Sequence, residues 1–283
     1  MPAWIRLLRP RQWIKNAFIL APLFFAHVFT DVDAWYAIAL AVLSFICVSS
    51  AVYIANDIKD IDEDRVHPVK RLRPLAAGEV SENTALWLVM GLLGAASGML
   101  SLLPLSCSLL AALYIWLNLF YTIWLKHIAI LDVFFVASCY VLRVLMGCFA
   151  LSVSVSPWII LTTFLLAMFI GFGKRFHEMS LPEYVSVKPN LQHYSVELLD
   201  KLVSISAGAA LMAYAIYTTE ISRQIGSPEM VYTTGFVAFG LFRYLQAIHV
   251  YHQGGEPEAV VLGDKMQLAN ISLWLATTLL ILF

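Results

Sequence analysis

Between Ala55 and Ser81 the chain gathers acids and Lys/Arg into one stretch of a sequence that is 60% hydrophobic and only 13% charged. Asn56, Asp57, Asp60 and Asp64 within it form the pattern N-D-x-x-D-x-x-x-D. On a helix, steps of three and four residues stack these carboxylates along one face, where like charges repel until a countercharge arrives. Oxygen donors with no neighbouring Cys or His group suit a hard cation. Mg2+ in particular binds through one or two carboxylates and leaves positions for water and substrate phosphates. The pattern therefore predicts a site for Mg2+ and a diphosphate, with Asn56, Asp57, Asp60 and Asp64 as ligands; a solvated acidic loop is the plain alternative.

A second polar cluster comprises Asn118, Tyr121, Lys126 and Asp132. Asn118 and Tyr121 are i, i+3 neighbours that can offer an amide and a phenol to one ligand. Lys126 supplies a compact cation for phosphate, and Asp132 an acid near the membrane boundary. Interface anchoring would account for Tyr121 and Lys126, but not for Asp132. A third cluster, Gly171 to Glu178 (GFGKRFHE), places Lys174, Arg175 and Glu178 within about one helical turn. Phosphate binding and anchoring on the cytoplasmic side both fit it. Its glycines match no phosphate-cradling loop, because an apolar helix and not a strand precedes them. Arg143 lies about three turns beyond Asp132 on the same expected helix. An unpaired charge at that depth costs on the order of 3 kcal/mol or more, so Arg143 must have a partner.

The elements that position these residues are membrane helices. A mean hydropathy of +0.78 and repeated apolar runs near the length of a bilayer crossing predict an all-α, polytopic membrane protein. The expected spans are 16–30, 35–56, 84–103, 106–125, 129–150, 157–173, 201–220, 230–249 and 267–283, nine helices in a single bundle. Residues 1–283 read as one integral-membrane domain in which 1–15, with Trp4, Ile5, Leu7 and Leu8 among arginines, lie in the interface. Lys and Arg concentrate before the first span and after the second, fourth and sixth. That bias predicts a cytoplasmic N-terminus and cytoplasmic motif loops in a multi-pass protein of the inner (plasma) membrane.

Eighteen basic against nineteen acidic residues argue against a nucleic-acid partner. The four cysteines fall in or beside expected spans without metal spacing and read as small buried hydrophobes. The seven histidines show no metal-ligand grouping.

Together these features resemble the UbiA superfamily of intramembrane prenyltransferases, which the acidic motif after the second helix and the Tyr/Lys/Asp loop after the fourth both suggest. Finer features are more similar to its decaprenyl-phosphate phosphoribosyltransferase branch. These are Arg9 to Asn16 (RPRQWIKN), His67 to Gly78 (HPVKRLRPLAAG), Gly173 to Arg175 (GKR), and Gly255 to Glu258 (GEPE) followed by Asp264. The resemblance spans about residues 6–270.

It implies an Mg2+-dependent enzyme that takes phosphoribosyl pyrophosphate as donor and a polyprenyl phosphate lipid as acceptor. Asp57, Asp60 and Asp132 would be catalytic. Lys15, Lys70, Arg73 and Lys126 would hold donor phosphates, with Asn56, Asn118 and Tyr121 also binding substrate, and Lys174 and Arg175 would draw in the lipid phosphate. Relatives that ionise prenyl diphosphates carry aspartate-rich motifs in both loops, whereas the second loop here keeps only Asp132. Prenyl transfer to an aromatic or quinone-precursor acceptor is the alternative, and a membrane transporter or lipid-binding protein a further one. Homo-oligomer formation stays open.

Overall fold

The computed structural model describes residues 2–25, 28–66, 69–181 and 189–283; His67 and Pro68 of the HPVKRLRPLAAG motif and residues 26–27 of the expected span 16–30 lie outside them. The described residues are helical, with no strand among them. In chain order they form α1 (Ala3–Leu7), a 3-10 segment (Pro10–Leu20), α2 (Ala21–Phe25), α3 (Val32–Lys59), α4 (Ile61–Val66), α5 (Glu82–Leu100) and α6 (Leu105–Ile123). There follow α7 (Leu131–Ala150), α8 (Pro157–Met179), α9 (Val196–Ile225), α10 (Thr234–His249), α11 (Pro257–Gly263) and α12 (Lys265–Leu282).

Seven of these, α3, α5, α6, α7, α8, α9 and α12, are long and apolar enough to cross a membrane. Two expected spans differ. Residues 16–25 do not form one α-helix: Pro22 has no N–H for the Phe18 carbonyl, which instead accepts from Ala21 N three residues on, the 3-10 pattern. The segment also runs close to α7, where a Cβ on Gly147 would collide with the Ile19 carbonyl oxygen. In the eighth expected span, the first residues are a 3-10 turn (Pro228–Thr233), leaving α10 only sixteen residues.

Helix ends follow local chemistry. Asp31, Ser81 and Ser195 cap α3, α5 and α9 by accepting from backbone N–H groups. Gly226, at φ 72°, ends α9 in the left-handed conformation. Trp87, Met90 and Trp116 on α5 and α6 lie exposed, an arrangement suited to lipid rather than water.

The chain divides into two compact units: Met1–Ile123 with Leu142–Val153, and Trp124–Val141 with Ser154–Phe283. In the first, α3 packs against α5, α6 and the 3-10 segment. Leu7, Ile54, Ile61, Leu75 and Ala85 form a core beneath the acidic motif. In the second, α8 packs along α9, around a core that includes Val133, Phe169, Phe172, Leu199 and Tyr244.

Candidate functional site

The acidic motif straddles the end of α3 and the start of α4, with Asp60 between them donating its N–H to the Asn56 carbonyl. Ile54 and Ile61 point into the core, which turns Asp57 and Asp64 inward; both carboxylates are buried, 3% and 1% exposed. Cations of the same unit surround them. Arg73 Nη1 donates to Asp57 Oδ1 at 2.9 Å and to Asp64 Oδ2 at 2.6 Å. Arg9 pairs with Asp57 as well, and Lys70 Nζ lies 3.5 Å from Asp64 Oδ1. Arg9 reaches that position from a left-handed backbone, φ 53°, and its guanidinium lies over the Tyr53 ring. The sequence marked Arg73 and Lys70; Arg9 was noted only within a motif, because nothing in a separation of 48 residues announces a contact.

Asn56 Oδ1 accepts from Thr122 Oγ1 at 2.8 Å, and Lys59 donates to the Thr122 carbonyl at 3.2 Å. These bonds tie the motif to the end of α6. Asn118 Nδ2 is bonded back to the Tyr114 carbonyl at 2.8 Å, and its own carbonyl accepts from Thr122. Tyr121 and Lys15 are half-buried in this unit.

The donor set suits a hard divalent cation: carboxylate and amide oxygens only. The two buried carboxylates already share one positive atom in Arg73 Nη1, and Asp64 Oδ1 has no hydrogen bond among the described residues. No three acids or His/Cys side chains among the described residues converge as a ready-made cage. A metal held here would use one or two carboxylates with Asn56 and the rest from substrate.

Arg143 has partners, as its depth requires. Its Nε donates to Asn16 Oδ1 at 3.0 Å and Nη2 to the Tyr114 hydroxyl at 3.2 Å, with the guanidinium over Phe45 and Tyr114. Asn16 and Tyr114 are both neutral groups whose oxygens accept from the buried guanidinium.

In the second unit Asp132 sits in the first turn of α7, where a helix N-terminus favours negative charge. It is fully buried and fully engaged. Arg175 Nε donates to Oδ2 at 2.8 Å, with Nη2 ion-paired 2.7 Å from the same oxygen; Asn190 Nδ2 donates to Oδ2 at 3.0 Å, and the Tyr194 hydroxyl donates to Oδ1 at 3.2 Å. Arg175 also pairs with the buried Glu178 at 2.5 Å. Burial, with the Asp132 carboxylate beside it, pushes the Tyr194 hydroxyl well above the usual tyrosine range, so it stays protonated. Lys126, in a 3-10 turn (Leu125–His127), and Lys174, on α8, are half-buried in this unit. Asn190 and Tyr194 were missed in the sequence; two polar residues after a charged loop carry no periodic signal. Gly171 and Gly173 serve packing: a Cβ on the first would meet Val133 at 2.7 Å, on the second Ile248 at 2.7 Å.

The UbiA prenyltransferase family model matches residues 17–271, most of the chain. The protein belongs to that family. Its sequence is 32% identical to the decaprenyl-phosphate phosphoribosyltransferase of Mycolicibacterium smegmatis, over 96% of this chain and 90% of that protein. It is 31% identical to the enzyme of the same name from Corynebacterium glutamicum, over 93% of this chain and 81% of that protein. Among solved structures, a UbiA homolog from Archaeoglobus fulgidus bound to GPP and Mg2+ matches with a TM-score of 0.74, at 18% identity, over 99% of both chains. That likeness carries the fold; the UbiA fold expected from the sequence is the fold observed.

Proposed function

We propose that this enzyme transfers the 5-phosphoribosyl group of phosphoribosyl pyrophosphate to a polyprenyl phosphate and releases pyrophosphate. The observation that carries the reading is the near-full-length likeness to two phosphoribosyltransferases acting on decaprenyl phosphate. The chemistry of the residues supports it. A phosphate oxygen of the lipid attacks the anomeric carbon of the ribose as the bond from that carbon to pyrophosphate breaks, and the electron pair leaves with pyrophosphate. The lipid phosphate is already anionic, so the attack needs little general-base help.

One or two of the carboxylates of Asp57, Asp60 and Asp64, together with Asn56, would hold Mg2+, whose chemistry is to neutralise charge on the departing oxygens. Lys15, Lys70 and Arg73 take phosphates of the donor, with Asn118 and Tyr121 as neutral donors to it; Lys126 also takes a donor phosphate. Lys174 attracts the phosphate of the lipid, as does Arg175 from its place between two carboxylates. Asp132, already saturated with hydrogen bonds, acts by keeping Arg175 in place and by its negative charge, which favours a ribose ring gaining positive charge.

The protein crosses the inner membrane nine times, the regions 16–30 and 230–249 joining the seven long helices, with the N-terminus and the motifs cytoplasmic. Both follow from the Lys/Arg bias and the apolar runs.

The test uses purified enzyme in detergent. Saturating Mg2+ with phosphoribosyl pyrophosphate should raise its unfolding temperature. Lys126→Met should weaken that donor's apparent affinity about ten- to hundredfold, the loss of one charge-assisted phosphate contact. No thermal shift in the wild type would contradict the assignment.

A further inference from the structure

Ile130, between the Lys126 turn and α7, has φ 69°. A β-branched residue in the left-handed region is a strained outlier that persists only where its surroundings hold it. The hold is visible. The Ile130 N–H donates to the Tyr194 hydroxyl at 2.5 Å, and that hydroxyl in turn donates to Asp132 Oδ1. The Tyr194 ring is buried in the second unit's core, which fixes the hydroxyl from behind.

The strained residue governs what lies on either side of it. Its carbonyl accepts from Val133 N and Phe134 N, so the first turn of α7 hangs from it. Upstream, Asp132 N donates to the Ile128 carbonyl and Ile128 N to that of Leu125, a backbone chain that encloses Lys126. The Lys126 turn also packs against the Pro189–His193 segment that leads into Tyr194.

We propose that Tyr194 is a positioning residue for Lys126: its hydroxyl holds Ile130 in the left-handed conformation and ties the Lys126 turn to Asp132. This rests on the reading of Lys126 as a ligand of a donor phosphate. In this reading Tyr194 acts through Lys126 and not on the substrate itself.

The test compares wild type, Tyr194→Phe, Ile130→Gly and the double variant in detergent, measuring kcat and the KM of each substrate. Tyr194→Phe keeps the ring and loses one hydroxyl, so donor KM should rise about tenfold with acceptor KM within about twofold. Glycine adopts positive φ without strain, so Ile130→Gly should bring donor KM of the double variant most of the way back. A purely structural tyrosine would lower the yield of folded enzyme and leave KM alone.

Wild-type donor KM in Tyr194→Phe, or no recovery in the double variant, overturns the proposal. If Tyr194→Phe does not accumulate in the membrane, the double variant should, because its turn no longer needs the hydroxyl; failure of both overturns the proposal too. Wild-type enzyme that transfers nothing from phosphoribosyl pyrophosphate contradicts the functional reading and takes this proposal with it, an outcome separate from an unchanged KM in an active enzyme.

Discussion

Nη1 of Arg73 lies 2.6 Å from Oδ2 of Asp64. The same nitrogen donates to Asp57, so one cation from the loop after α4 holds two buried carboxylates of the motif. Removing one member of a buried ion pair leaves the other charge uncompensated, at a cost of about 3–5 kcal/mol.

Asp57→Ala is therefore expected to destabilise the fold as well as to abolish turnover, since it strips a partner from Arg9 and Arg73 at once. Asp60→Ala should abolish turnover with a smaller fall in unfolding temperature than Asp57→Ala, because Asp60 is half-buried at the helix junction where Asp57 is buried. Thermal unfolding alongside turnover separates the two variants. Near-normal turnover in Asp60→Ala would remove that residue from the proposed metal site.

A second prediction concerns Arg143 and Asn16. Asn16→Ala takes away the acceptor of a hydrogen bond from a buried guanidinium, a bond worth about 1.5–3 kcal/mol. Asn16→Asp supplies a carboxylate in the same place and should keep most of the stability. Thermal unfolding of both variants measures this, and equal stability of Asn16→Ala and wild type would show the bond to be unimportant.

Arg243 and Asp264 give a pH dependence. Asp264 caps α12 by accepting from Met266 N and Gln267 N, and it accepts from Arg243 Nε at 2.5 Å. The hydrogen bond from Arg243, then those backbone donors, hold its carboxyl below the ordinary carboxylate range. A lowered folded-state value means that the contribution is present above the unfolded value and drains away as pH falls through the lower folded one. Asp264→Ala should cost about 0.5–2 kcal/mol at neutral pH, the worth of a helix cap. The gap from wild type should narrow in acid, read from unfolding at pH 7 and at pH 3; a gap that widens in acid would reverse the sign.

Membrane sidedness is open to single-cysteine labelling in a background without the four native cysteines. Ala77 and Gln192 are exposed and should label from the cytoplasm, and the exposed Glu229 from the far side. Labelling of all three from one side would contradict the proposed nine-crossing topology.

Much of this was legible in the sequence, for identifiable reasons. Long apolar runs dictate helices such as α3 and α9 through length and hydropathy alone, and the carboxylates of the acidic motif announce themselves by density. Arg143 had to have partners, and Asn16 and Tyr114 are among them. What stayed hidden depends on tertiary approach. The break of residues 16–25 into 3-10 and short α pieces turns on the missing N–H of Pro22 and the closeness of Gly147, and hydropathy reports neither. The Arg9 clamp and the Tyr194 hydroxyl act across 48 and 64 residues. The shell around Asp132 is built partly by Asn190, a residue with no motif to mark it.

The central claim is the identity of the transferred group. Purified wild-type enzyme in detergent with Mg2+ is given phosphoribosyl pyrophosphate labelled in the ribose together with a polyprenyl phosphate, and in parallel a prenyl diphosphate with an aromatic acid. The measurement is label entering the lipid fraction per pyrophosphate released. One ribose label in the lipid for each pyrophosphate, with no product from the parallel reaction and loss of both signals in Asp60→Ala, is the result expected. Prenylated aromatic product with no ribose label in the lipid would contradict the account.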